Sequence, residues 1–269
     1  MNIVERGSGT PIVLLHGLGV DHRILLPLDD AIASAGDWRR LYVDMPGHGT
    51  SPIGNVASTE DVVREVAREV GERLGEERFA ILGASFGAMV ARCIARDMPG
   101  STLGLATLGG VFIAEHHLRR VPDRVVLHED PDALVAAGEA REEYLEMAVV
   151  QSTEGARDFL EYAHPGVLAA DQRAPDLISS RYSPDRDPEG DTAPPYPYPA
   201  LFVTGRQDHV VGYEDAYSRL DHYPRATYAA LDATGHNVHL DQPAVTAALL
   251  TGWLGRIRAM ASRAKGIAR

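Results

Sequence analysis

Cysteine is almost missing from this chain. Cys93 is the single one among 269 residues, which excludes an internal disulfide and leaves no cysteine pair to hold a metal. Long apolar runs are missing too: none approaches the roughly 20 residues that span a bilayer. The opening residues Met1-Asn2-Ile3-Val4-Glu5-Arg6 lack the basic, apolar and small-residue succession of a secretory signal. Positive charge is scarce, with 26 Lys and Arg against 38 Asp and Glu and a net charge of −12. Phosphate binding needs a basic surface, so nucleic acid is not expected as a partner. The tail departs from this balance, since Arg256, Arg258, Arg263, Lys265 and Arg269 stand without an intervening acid. It reads as a solvated helix end, where cations suit the dipole. These absences together predict a cytoplasmic protein with no membrane partner.

Apolar residues, by contrast, make up 45% of the chain, enough for a substantial core. The length suits one large α/β domain with an insertion, or two small ones. Strand and helix signals alternate from the start. Pro11 to Leu15, Leu41 to Val43, Phe79 to Leu82, Leu103 to Leu108, Leu201 to Thr204 and Ala226 to Leu231 read as strands. Helical patterns lie between them, around Ile24 to Ala35 and after Ser58-Thr59-Glu60-Asp61, where Val63, Ala67, Val70 and Leu74 mark one face. The last helix carries Val245, Leu249, Trp253 and Ile257. Continuous apolar strands separated by amphipathic helices predict a mostly parallel, doubly wound sheet covered on both faces. The alternation stops over 111–199, a stretch of Glu, Ala and Leu followed by turns and prolines. We read it as a helical cap inserted between two sheet strands, with 1–110 and 200–269 forming the core.

One pentapeptide, Gly83-Ala84-Ser85-Phe86-Gly87, carries most of the chemistry. It lies between a strand and a helical pattern, an arrangement that seats a serine on a strained turn with its hydroxyl exposed. A serine is a weak nucleophile at neutral pH and needs a base and an orienting acid. Asp208, in Gly205-Arg206-Gln207-Asp208-His209, falls just past a strand. His236, in Gly235-His236, follows the last one. In open α/β sheets such residues gather at the carboxyl ends of the strands. His236 would then take the Ser85 proton while Asp208 fixes the ring tautomer. The amides of Leu18, in His16-Gly17-Leu18-Gly19, and of Phe86 are the candidate oxyanion donors, and their side chains are expected to line the pocket.

The chain resembles the α/β-hydrolase superfamily, in its capped, serine-esterase-like branch. The resemblance rests on His16-Gly17-Leu18-Gly19, Asp44-Met45-Pro46-Gly47-His48-Gly49-Thr50-Ser51, the Ser85 pentapeptide, Gly205-Arg206-Gln207-Asp208 and Gly235-His236 with Gln242-Pro243 beyond, in that order across nearly the whole chain. It implies the triad Ser85, Asp208 and His236, a hole formed by Leu18 and Phe86, hydrolysis of carboxylic ester-like small molecules through an acyl-enzyme, and no cofactor. It also implies a longer hairpin at the start than this chain has: at most one short strand, around Ile3 to Glu5, precedes His16. Carbon–carbon bond hydrolases of ring-cleavage products, lyases and perhydrolases use the same triad and stay open, although Ala88 stands where the first of these usually has a second glycine. A non-catalytic receptor for a small ligand is the remaining alternative, and a homodimer is an open option.

Simpler roles compete with several of these residues. Ser85 could be a helix N-cap, Asp208 a turn residue with Asp215 or Asp232 as the acid, and His236 a surface histidine. Asp44 and His48 read as loop organisers rather than chemistry, and His16 as a packed loop histidine. No metal site is expected from His236, His239 and Asp241 or from His116-His117, which match no ligand spacing. Gly17-Leu18-Gly19-Val20-Asp21-His22 breaks the dinucleotide fingerprint at its third glycine. Tyr144, Met147, Phe159 and Tyr162 either line the pocket or form the core of the inserted segment.

Overall fold

The computed structural model describes residues 1–190 and 192–267, with side chains described through residue 263. Seven strands form one sheet in the order β1-β3-β2-β4-β5-β6-β7. The edge strand β1 (Ile3–Arg6) runs antiparallel to β3 (Trp38–Val43). The rest are parallel: β2 (Thr10–Leu15), β4 (Phe79–Ala84), β5 (Thr102–Leu108), β6 (Ala200–Gly205) and β7 (Ala226–Leu231). Among the described residues a single short strand precedes β2.

Side chains alternate across the sheet, so each strand feeds two cores. Val13 and Leu15 of β2 join the core that also holds Val62, Val66 and Val70 of α2 (Thr59–Leu74) and Ile94 of α3 (Phe86–Asp97). Ile12 and Leu14 join the opposite core, with Ile32 of α1 (Asp29–Ser34) and Trp253 of α11 (Pro243–Ile267). Every residue of β4 and β6 is buried, the burial expected of parallel strands covered on both faces. The Ser58 hydroxyl caps α2 by accepting from the Asp61 amide at 3.1 Å, as its S-x-x-D signal predicts.

The buried face of α11 differs from the expected one. Leu250, Trp253, Leu254 and Ile257 are buried, Leu249 is half-buried and Val245 is exposed. Trp253 sets the helix rotation by donating from Nε1 to the Pro199 carbonyl at 2.9 Å. Val245, eight residues earlier, is turned about 80° away from it. The cationic tail is also corrected in part. Arg256, half-buried, donates to the Arg225 and Ala200 carbonyls, and Arg258, exposed as expected, donates to that of Ala35, so both tie the helix to the body. Arg269 and the Lys265 side chain lie outside the described residues. No described helix is long and apolar enough to cross a membrane.

Between β5 and β6 the chain leaves the sheet and forms α4 (Pro131–Ala136), α5 (Arg141–Met147), α6 (Thr153–Asp158), a π-helical turn (Phe159–Ala163), α7 (His164–Ala169) and α8 (Ala174–Ser179). It returns through a proline-rich strap, described over 180–190 and 192–199, that is pinned at several points. Tyr182 and Arg181 offer carbonyls to the Thr59 hydroxyl and amide, and the Tyr196 hydroxyl donates to that of Thr102 at 3.1 Å. The firmest pin is buried. Glu189 accepts from the Arg92 guanidinium on α3 and from the Tyr223 hydroxyl, and Arg92 also lies 4.2 Å from the centroid of the Phe112 ring. Two short helices, α9 (Glu214–Tyr217) and α10 (Val238–Asp241), follow β6 and β7.

Candidate active site

The parallel register aligns the carboxyl ends of β2, β4, β6 and β7, and the loops leaving them converge on one edge. At the end of β4 the backbone turns into α3 at Ser85, whose φ of 50° and ψ of −117° lie in a region that side-chain-bearing residues rarely occupy. Such a conformation costs of order 1–3 kcal/mol and persists only where the surroundings impose it. The flanking glycines show how. A Cβ on Gly83 would stand 2.2 Å from the Gly87 carbonyl oxygen, and one on Gly87 would stand 2.3 Å from the His16 carbonyl oxygen. The turn is thus closed against itself on one side and against the end of β2 on the other.

The structure brings Ser85, His236 and Asp208 together. His236 Nε2 lies 2.8 Å from Ser85 Oγ and Nδ1 lies 2.9 Å from Asp208 Oδ2. The carboxylate accepts, so Nδ1 carries the proton and the Nε2 lone pair faces the serine hydroxyl, which donates to it. Asp208 is fully buried, and its Oδ1 accepts the amides of Val210 and Val211 at 2.9 and 3.0 Å. Burial pushes this carboxyl up, but the facing imidazole and the two amides outweigh it and hold the pKa below the usual range. The competing acids are engaged elsewhere. Asp215 accepts from the Arg120 amide and guanidinium, and Asp232, exposed, from Gln207.

Leu18 and Phe86 flank the serine, and among the described residues neither amide has a protein acceptor. The Leu18 side chain lines the cavity, whereas that of Phe86 does not. The Phe86 ring is fully buried, 5.4 Å from that of Tyr182, because the first helical residue after the turn points back into the α2–α3 core. The loop holding Leu18 is fixed by three buried groups. His16 Nε2 accepts the Met45 amide at 3.0 Å while Nδ1 donates to the Gly17 carbonyl at 2.6 Å. His48 Nε2 accepts the Gly19 amide at 3.0 Å. Asp44 accepts from Asn2, from Thr50 and from both the amide and the ring of His22. Burial drives the His16 pKa down to about 3, so its ring stays neutral.

A cavity of about 230 Å³ opens beside Ser85 and His236. Leu18, Val20, Ile24, Met147, Phe159 and Val167 give it an apolar wall, and Glu143, Glu146, Asn237 and His239 add polar groups. Of the four aromatic and methionine candidates, Met147 and Phe159 line it. Tyr144 is buried, its ring 5.9 Å from that of Phe159, and Tyr162 is not part of the wall. Phe159 and Ala163, both in the π-helical turn, reach the cavity, as the four-residue spacing of one helical face allows. Asp241 accepts the Gly235 amide at 2.7 Å, steadying the loop ahead of His236, and burial raises its pKa to about 6. The group Asp21, His22 and Asp44 lies close enough together for a metal ion. Asp21 is already paired with Arg23, and Asp44 with His22 and Asn2, so these donors are spent on the protein itself.

Comparison with known proteins adds the family context. A model described as the alpha/beta hydrolase family matches residues 12–249. A 2-succinyl-6-hydroxy-2,4-cyclohexadiene-1-carboxylate synthase of Escherichia coli O8 is 34% identical over 106 residues, 39% of this chain and 38% of that protein. A pimeloyl-(acyl-carrier protein) methyl ester esterase of Shewanella oneidensis is 31% identical over 110 residues, 40% of this chain and 38% of that protein. The matched stretch spans under two-fifths of the length of either relative. Among solved structures, an alpha/beta superfamily hydrolase from Oenococcus oeni PSU-1 superposes with a TM-score of 0.89 at 26% identity, covering 95% of this chain and 96% of the other.

Proposed function

The chain belongs to the alpha/beta hydrolase family, and from that premise we propose that it is a serine hydrolase of carboxylic ester-like small molecules, working through an acyl-enzyme. One observation carries the reading: a single imidazole bridges the Ser85 hydroxyl and the buried Asp208 carboxylate, with both contacts under 3 Å. Ser85 attacks the ester carbonyl while His236 Nε2 takes its proton, and Asp208 stabilises the imidazolium that forms. The Leu18 and Phe86 amides hold the oxyanion, an effect worth about 10²–10³ in rate for each donor. His236 then protonates the leaving group, and a water activated by the same ring releases the acid.

The segment over 111–199 acts as a helical cap on the core formed by 1–110 and 200–269, which is why the cavity wall draws on both. The ester hydrolase named among the relatives agrees with this chemistry. The synthase named beside it favours a second reading, in which the same three residues act on a bond other than an ester. The protein works in the cytoplasm on a small molecule and needs no cofactor.

Short-chain p-nitrophenyl esters test the proposal. Wild-type protein is expected to release p-nitrophenol in a burst and to be labelled by a fluorophosphonate at Ser85, and Ser85→Ala is expected to lose both. Labelling without ester turnover would favour the second reading. Neither labelling nor turnover would leave a ligand receptor.

A further inference from the structure

The polar equipment of the cavity constrains what can enter it, and the argument that follows rests on the serine-hydrolase reading above. Among the described residues the wall holds two carboxylates and no lysine or arginine. Glu143 and Glu146 stand three residues apart on α5, so they share a face. Among the described residues neither pairs with a lysine or arginine. Glu143 meets only Nδ1 of the buried His164, at 4.0 Å and without a hydrogen bond. Arg124 reaches the same turn, but its guanidinium donates to the Leu145 and Glu146 carbonyls and is not part of the wall.

His239 supplies a second, independent observation. It forms part of the same wall, is 2% exposed and holds Nε2 at 2.7 Å from the Ile24 carbonyl. A carbonyl only accepts, so Nε2 carries the proton and Nδ1 is an acceptor, yet Nδ1 has no partner. Burial draws the ring's pKa down to about 4, which keeps the ring uncharged at neutral pH. Nδ1 has almost no accessible surface, and with Nε2 spent on Ile24 the ring offers the cavity no donor. Apart from Asn237 and the Ser85–His236 pair, the polar side chains of this cavity therefore bring no donor, and two of them are anionic.

We propose that the substrate is an amino ester, its carbonyl placed at Ser85 and its protonated amine held by Glu143 and Glu146. A substrate ending in a carboxylate meets two like charges in the same place and is disfavoured. The test compares kcat/KM at low ionic strength for methyl ω-aminohexanoate, methyl heptanoate and monomethyl pimelate, which differ at the chain end in charge more than in length. The expected order is cation, neutral, anion, with about tenfold between first and last. That spread should shrink in about 0.5 M salt, where screening is strong, and should approach one in the double variant Glu143→Gln, Glu146→Gln. Both positions are partly open to solvent, and the substitutions keep size and shape, so the variant retains the fold. Turnover of all three esters with the anion equal or preferred, or a preference that survives both glutamines, would overturn the amino-ester assignment alone. No turnover of any of them, with no fluorophosphonate labelling, would overturn the serine-hydrolase reading and this inference with it.

Discussion

Asp208 divides its two oxygens between different tasks, and the division predicts the effect of an isosteric change. Oδ1 accepts two backbone amides and Oδ2 accepts from His236. In Asp208→Asn the two amides keep the carbonyl oxygen on their side, so the amide nitrogen must face the ring. It can only donate, which forces Nδ1 to accept and puts the proton on Nε2, where the proposed mechanism delivers the Ser85 proton. We expect kcat to fall by at least about 10³-fold with the melting temperature little changed; steady-state kinetics beside calorimetry checks both, and near-full activity would exclude Asp208 as the orienting acid. The convergence of Ser85, Asp208 and His236 is legible in the sequence because each lies just past the carboxyl end of a strand, and parallel strands deliver their ends to one edge. Glu143, Glu146 and His239 are not. Nothing in a run such as Glu142-Glu143-Tyr144-Leu145-Glu146 says which acid faces solvent and which a cavity, since that depends on how α5 lands on the sheet.

The same limit holds for whole elements. The apolar strands announce themselves, and six of the seven follow from runs of three to six residues. The segment between β5 and β6 reads correctly as helical, but its detail does not. A π-helical turn occupies Phe159–Ala163, and no residue pattern in the sequence marks where the bonding passes from i+4 to i+5. The return strap is legible only as prolines, because its chief anchor joins Glu189 to Arg92 across 97 positions. That anchor is open to test. Glu189→Gln leaves a buried guanidinium without its counter-charge, and loss of one partner of such a pair costs about 3–5 kcal/mol. Burial opposes ionisation of Glu189, but Arg92 and Tyr223 more than compensate and lower its pKa. Its contribution is therefore full above the ordinary glutamate range and lost as pH falls through the lowered value. The melting temperatures of wild type and variant should differ widely at pH 7 and draw together in acid; a constant gap would mean that the pair is not what holds the strap.

For the molecule as a whole, buried histidines set the acid limit sooner than the carboxylates do. Burial brings His16 to about 3 and His239 to about 4, and also lowers His48. The unfolded chain binds protons at these rings near pH 6.5 while the native protein does not, so stability falls as pH drops from there. Asp241, raised to about 6 by burial, works in the opposite direction but is one group against three. Thermal unfolding should show a melting temperature that declines between about pH 6.5 and pH 4.5. A rise over that interval would mean that the rings are charged in the native protein.

The packing around Ser85 implies that the seat of the proposed nucleophile tolerates less change than its occupant. Any side chain placed at position 85 inherits the same projection into the cavity, since the backbone there is bent by contacts made two residues away on either side. A methyl group at 83 or 87 has nowhere to go, because carbonyl oxygens already fill those volumes. Exchanging the reactive atom, oxygen for sulfur or alcohol for carboxylate, is therefore a smaller structural step than adding one carbon beside it. On this scaffold new reactivity is more accessible through position 85 than through its neighbours.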